Sequence, residues 1–267
     1  MRLRDLSIIQ YQNISPKPEC SRLWLSTGAF QRQLDHISAN GFHVLTMDEA
    51  TDFMERKKQV PKNRPISLTF DNGFIDFYEH AYPLLLQHHF PGTLLISPDK
   101  VGTWTHLGSR RCEYLTWHHL KELAGRNVTI GAYADDTWNI NHINEDTVER
   151  YIVEYKDRLE DHLGIPVRYF GVKEGIPGRG IRKRLISEGY RAFLTECPTN
   201  RRPNLYAIGR IQVDDDDFNI FLTKISRTYL FFKDKRSWKY IREYRLDKMA
   251  HRLSESFDRL RGMNPHR

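Results

Sequence analysis

Short apolar runs alternate with longer stretches of helical spacing along most of this chain. Leu6–Tyr11, Phe42–Leu45, Ile66–Phe70, Thr93–Ile96, Val128–Ala132, Val167–Val172 and Arg191–Thr195 read as strands. Between them, Thr27–Asn40 places Phe30, Leu34 and Ile37 on one helical face, and Gly41 stops it. Met47–Met54 reads as a short helix opened by a capping box from Thr46 to Glu49. Ile75–His88, Leu115–Leu123 (with Thr116 as cap), Glu145–Leu163 (stopped by Gly164 and Pro166) and Gly180–Glu188 read as further helices. A strand that must cross a helix before meeting its neighbour pairs in parallel. The pattern therefore predicts a mostly parallel sheet, open or closed into a barrel. In such folds functional groups gather where strands end, which sets Asp71, Tyr133 and Lys173 on one rim.

With 267 residues, 39% of them hydrophobic, the chain can bury one α/β core and carry a small appendage. The last forty or so residues differ from the rest. Trp238–Leu260 has helical spacing and much of the positive excess, including Lys239, Arg242, Arg245, Lys248, Arg252 and Arg259. One or two basic amphipathic helices are expected there, either as a solvated face or as a surface that docks a protein or an anionic partner. The net charge of +7 admits nucleic acid, anionic membrane or acidic glycan and selects none. Nucleic acid is disfavoured, because no recognition motif accompanies the charge. Cys20, Cys112 and Cys197 are widely spaced and form no CxxC pair, which fits a reducing compartment better than a structural zinc site. The N-terminal apolar stretch is too short for a signal peptide, and no run reaches membrane-spanning length. The expected location is the cytoplasm.

The segment Ile66-Ser67-Leu68-Thr69-Phe70-Asp71-Asn72-Gly73-Phe74 resembles the polysaccharide deacetylase (NodB-homology) signature, whose core is T-F-D-D-G. Asp76, Tyr78, Ala81, Tyr82, Pro83 and Leu84 are similar to the helix that follows it, and Phe90-Pro91-Gly92-Thr93-Leu94 to the next strand. Phe30–Asp35 with Asn40-Gly41-Phe42, Leu115-Thr116-Trp117 with Leu120, Gly189-Tyr190-Arg191-Ala192, and Arg210 with Val213 and Asp214 extend the likeness over residues 6–226. The resemblance implies an α/β fold, a distorted (β/α) barrel of the deacetylase type, spanning 1–226. Residues 227–267 would then be a C-terminal helical extension.

That family hydrolyses an acetamide with a carboxylate base and a zinc-like metal that activates water. The first aspartate of the motif is the base; the second aspartate and two histidines four residues apart hold the metal. Here the resemblance places Asp71 at the base position, but Asn72, Tyr133 and Thr137 at the three ligand positions. An amide, a phenol and a hydroxyl bind divalent ions poorly, so no metal and no cofactor is expected. A third motif, R-x-P-Y, falls at Gly171-Val172-Lys173-Glu174, which removes the arginine that orients the base and the tyrosine near the oxyanion. Asp71 then reads either as a residual base or as a strand-end carboxylate capping its turn.

The candidate ligand-binding set is Asn72, Tyr133, Asp135, Asp136, Thr137, Trp138, Lys173 and Glu174, with a carbohydrate or acetylated sugar as the partner. Lys173 and Glu174 either pair across the old pocket or contact an acidic sugar. Trp138, on the rim, is the best sugar-stacking candidate, ahead of Trp104 and Trp117. The leading reading is a deacetylase-like protein without metal-dependent activity that binds a glycan or serves as a scaffold. An active hydrolase rebuilt around Asp71, Asp135, Asp136 or Glu174 is one rival. A docking module in 227–267 is the other. His142 reads as a surface residue, the pairs His88-His89 and His118-His119 point apart, and Asp214–Asp217 reads as an exposed turn rather than a calcium loop.

Overall fold

A computed structural model describes residues 6–16, 24–57, 64–134, 147, 150–173, 175–196, 204–213 and 217–226. The expectations for Asp135, Asp136, Thr137, Trp138, His142, Glu174, Cys20, Cys197, Asp214 to Asp216 and the 227–267 tail lie outside these residues.

The main sheet is parallel. Strands β1 (Ser7–Tyr11), β5 (Arg64–Phe70), β6 (Gly92–Ile96), β9 (Val128–Tyr133), β10 (Tyr169–Gly171) and β11 (Ala192–Thr195) follow one another around it. Strand β4 (Phe42–Val44) pairs with the first residues of β5, and β6 with its last ones. Two short strands, β12 (Ile208–Gly209) and β13 (Ile211–Gln212), flank Arg210. The first pairs with β11 and the second with β1, so the segment 208–212 joins the two edges and nearly closes the sheet into a barrel.

Alternation along these strands separates two cores. Ile9, Tyr11, Leu68, Phe70, Leu94, Ile96, Ile130, Phe170 and Phe193 face outward and join the main cluster with helix residues such as Phe30, Leu34 and Leu159. Ile8, Leu95, Tyr133, Tyr169, Leu194 and Ile208 face inward and form a second cluster with α2 (Met47–Met54). Helix α2 thus plugs the end of the barrel where the strands begin. Its Asp48 accepts hydrogen bonds from Tyr169 Oη at 2.5 Å and Arg191 Nη1 at 3.0 Å, and Asp52 pairs with the same guanidinium.

The outer helices follow the expected pattern. Helix α1 (Thr27–Ala39) is capped by Ser26, α2 has the Thr46–Glu49 capping box, and α4 (Trp117–Leu123) is capped by Thr116. Helix α5 (Tyr155–Leu163) ends at Gly164, whose φ of 67° suits glycine. Helix α6 (Arg179–Ser187) completes the regular units. The helix expected over Ile75–His88 begins with a wide π-type turn, Phe77–Ala81, before α3 (Tyr82–Gln87). Another such turn, Arg150–Glu154, precedes α5.

Four features were not expected from periodicity. A parallel pair, β2 (Asn13–Ser15) and β3 (Trp24–Ser26), follows β1. An antiparallel hairpin, β7 (Trp104–Leu107) and β8 (Arg110–Glu113), rises between β6 and α4. The third is the bridging pair β12–β13, and the fourth is helix α7 (Phe218–Lys224), where Asp217 is the N-cap and accepts from Asn219 N–H at 2.9 Å. The last of the four aspartates therefore has a defined task.

Candidate functional site

Asp71 follows β5 directly and points into the barrel at the end where the strands finish. It is only 1% exposed. Gln10 on β1, also fully buried, donates from Nε2 to Asp71 Oδ2 at 2.6 Å. Arg210, the bridging residue, donates from Nη1 to Asp71 Oδ1 at 2.5 Å and from Nη2 to the Val172 carbonyl at 3.3 Å. Both carboxylate oxygens are thus engaged by protein donors. Burial works against the Arg210 charge, but Asp71 more than offsets it, leaving the guanidinium pKa above its ordinary value.

Position 171 is a glycine as read, but an arginine reaches Asp71 from elsewhere, on the 208–212 segment. The geometry also corrects the reading of Asp71 as a side-chain cap of its turn. The side chain of Asp71 serves as the anion of a buried ion pair, while the turn that follows uses its backbone carbonyl, which accepts from Gly73 N–H at 2.9 Å. The structure also shows why β10 cannot supply an arginine. A Cβ on Gly171 would lie 2.4 Å from Leu95 Cδ1 and 3.2 Å from Tyr133 Cδ2. A Cβ on Gly131 would meet Leu95 Cδ2 at 2.6 Å. The two glycines make room for Leu95 and Tyr133 to fill the barrel interior, so the family's arginine position is occupied by packed side chains.

A second acidic group joins the site. Glu196, just past β11, accepts from the same Gln10 Nε2 at 2.8 Å. One amide nitrogen therefore bridges two carboxylates. Desolvation raises the Glu196 pKa above its ordinary value; Gln10, Arg210 and Lys173 oppose the shift, while Asp71 adds to it. Lys173 faces Glu196 electrostatically across the mouth. Sequence reasoning missed Gln10, Glu196 and the placement of Arg210. The available signals were a glutamine inside the apolar run Ser7–Tyr11 and a glutamate at the end of a predicted strand.

Among the predicted residues that are described, the structure brings Asp71, Asn72, Tyr133 and Lys173 to the same end of the barrel. Asn72 takes a left-handed backbone, φ 72°, which asparagine tolerates, and it is half-buried. Tyr133 is sealed in the interior, near enough to Arg210 to influence its charge. Trp104 is exposed on the hairpin, whereas Trp117 is half-buried and stacks on His162 at 4.0 Å between ring centroids.

The donor set does not fit the metal of the resemblance. Asp71 is held by a cation and an amide, Asn72 and Tyr133 carry neither imidazole nor carboxylate, and the Arg210 charge opposes a nearby divalent ion. A separate group, Asp76, Glu79 and His80, has one ligand atom from each within 4.8 Å of the others. Arg110 already approaches Asp76 at 3.4 Å, so this cluster has its own cation. Burial raises the Asp76 pKa, and Arg110 only partly offsets it.

A sequence model described as polysaccharide deacetylase matches residues 58–193. YxkH of Bacillus subtilis is 23% identical over 210 residues, covering 78% of this chain and 71% of that protein. The poly-beta-1,6-N-acetyl-D-glucosamine N-deacetylase of Staphylococcus aureus is 24% identical over 219 residues, with 76% and 72% covered. Among solved structures, IcaB from Ammonifex degensii superposes with a TM-score of 0.65 at 22% identity, covering 79% of this chain and 92% of that one. The fold agrees with the barrel described above, and the family match extends over more than half of the sequence. The chain belongs to the polysaccharide deacetylase family.

Proposed function

We propose that this protein binds an N-acetylated glycan, or holds a place in polysaccharide synthesis or modification, without metal-dependent hydrolysis. The observation that carries the reading is the state of Asp71. The carboxylate that would serve as base is buried, and both its oxygens accept hydrogen bonds from Arg210 and Gln10. A general base must lie within hydrogen-bond reach of the water it activates, and this carboxylate is closed off from solvent and paired with a fixed cation. The neighbouring ligand positions, Asn72 and Tyr133, support the same reading.

The ligand class follows from the family and from relatives such as the Staphylococcus aureus enzyme, whose name specifies poly-beta-1,6-N-acetyl-D-glucosamine. Asn72 and Lys173, half-buried at the barrel mouth, and Tyr133, sealed in the interior, are the described members of the proposed binding set. Asp135, Asp136, Thr137, Trp138 and Glu174 complete it by sequence. The 1–226 unit and the 227–267 tail are proposed as separate functional parts, with the tail as a docking element. Deleting 227–267 should leave glycan binding intact.

A second reading has one specific observation behind it. Glu196 stands beside Asp71 through the shared Gln10 amide, and burial raises its pKa above the ordinary value, so two carboxyl groups in different environments share one site, as an acid–base pair requires. Zinc titration followed by hydrolysis of an acetylated glucosamine oligomer separates the two. The proposal expects no stoichiometric metal and no turnover. Turnover lost in Asp71→Ala or Glu196→Gln would replace it with the hydrolase reading.

A further inference from the structure

The strand pair that follows β1 carries a set of buried polar atoms that the protein itself leaves unmatched. Both ends of the Asn13 amide, Trp24 Nε1 and Gln12 Oε1 have no hydrogen-bond partner. Asn13 is 2% exposed and Trp24 is 4% exposed. Almost all buried polar side-chain atoms in folded proteins are paired, so four on adjoining residues call for an explanation.

The pairing register shows that Asn13 and Trp24 share one side; Gln12 lies outside the paired residues. Asn13 sits beside Trp24, Ile14 beside Leu25, and Ser15 beside Ser26. Ile14 and Leu25 pack into the main core, so alternation turns Asn13, Trp24 and Ser15 the other way. On that side Trp24 clusters with Phe74, Cys112 and Tyr114, and the Phe74 and Tyr114 rings stack at 4.4 Å. Arg110 from the hairpin lies over the Trp24 ring at 4.7 Å, donates to Ser15 Oγ at 2.8 Å and reaches Asp76 at 3.4 Å. This buried cluster adjoins the Asp71 turn. Asn13 is two residues beyond Tyr11, whose carbonyl accepts the Asp71 N–H at 3.0 Å, and Phe74 belongs to the same turn.

We propose that this cluster of unpaired polar atoms is a sugar-recognition subsite in which Asn13 pairs with the acetamido group of an N-acetylhexosamine. The inference rests on the glycan-binding reading and assigns it a residue. A primary amide with both ends unpaired offers one donor and one acceptor in a plane. An acetamido group offers the complementary acceptor and donor. Trp24 Nε1 supplies a further donor for a hydroxyl, and the indole face suits the apolar face of a sugar ring. Arg110 lies over the indole and is one-third exposed, so binding in this way requires that side chain to move aside. An ammonium group in place of the acetamido group has no acceptor for Asn13 Nδ2, so the subsite discriminates against deacetylated, protonated sugar.

Asn13→Leu tests the assignment, because it keeps the size and removes both polar ends. The probes are a β-1,6-linked N-acetylglucosamine trimer and its fully deacetylated form, titrated calorimetrically against the full chain. The expected result has three parts. Wild type prefers the acetylated trimer by at least tenfold, Asn13→Leu loses that preference, and its ligand-free Tm is no lower than that of wild type. If Asn13→Leu does not fold, Asn13→Ala is measured in the same way. A wild type that binds the acetylated trimer with Asn13 variants that bind equally well overturns the subsite and leaves the glycan-binding reading standing. A clearly lowered ligand-free Tm in both variants assigns Asn13 to the fold, through an ordered water, and also overturns it. A wild type that binds neither trimer removes both.

Discussion

Replacing Arg210 with methionine should destabilise this protein severely, and the structure fixes how much. Arg210 and Asp71 are both fully buried, and their closest contact is 2.5 Å. Removing one partner of such a pair leaves an uncompensated charge in the interior, which costs about 3–5 kcal/mol. For a domain of this size each kcal/mol corresponds to roughly 2–4 °C, so Tm should fall by about 6–20 °C. Arg210 also joins β12 to β13 at the seam of the barrel and donates to the Val172 carbonyl just past β10, so the loss should loosen the closure itself. The double variant Asp71→Leu/Arg210→Met should recover at least half of the lost stability, because an apolar pair of similar volume carries no buried charge. Thermal and urea denaturation followed by circular dichroism measure all three proteins. A Tm loss below about 4 °C in Arg210→Met, or a double variant no better than the single one, would refute the reasoning.

Glu196 predicts a pH dependence. Its folded pKa lies above the ordinary 4.5, so the native state holds the proton more tightly than the unfolded chain. That contribution is complete below pH 4.5 and is lost as pH rises through the folded pKa. Glu196→Gln should flatten the fall in Tm across this window and raise Tm at neutral pH; an unchanged profile would show that Glu196 does not titrate there. Gly171→Ala should cost about 1–3 kcal/mol, because its Cβ meets Leu95 at 2.4 Å, and Leu95→Ala in the same chain should relieve the clash. Thr46→Ala removes a capping box from the plug helix and should cost about 1 kcal/mol, read as a lower urea midpoint.

The strand–helix alternation was legible because each period is local. Phe30, Leu34 and Ile37 needed only their spacing to be placed on a buried face; Thr46 announced its helix through Glu49 three residues on, and Thr116 through its residue type alone. The short pairs β2–β3, β7–β8 and β12–β13 were not legible, because two to four residues carry too little periodicity. The same limit hid the site. Asp71 was visible in its motif, but its partners Gln10 and Arg210 lie 61 and 139 residues away, and only closure of the sheet brings them together. Gly171 could be read as the absence of an arginine. It could not be read as the space into which Leu95 and Tyr133 pack, since that depends on three strands meeting inside one barrel.

The most direct test of the account is a crystal structure of the protein soaked in zinc, with anomalous data collected at the zinc edge. The account predicts no anomalous peak within bonding distance of Asp71, Asn72 or Tyr133, and an Asp71 carboxylate still held by Arg210 and Gln10. A strong peak bound to Asp71 or Asn72, with the Arg210 contact broken, would contradict it.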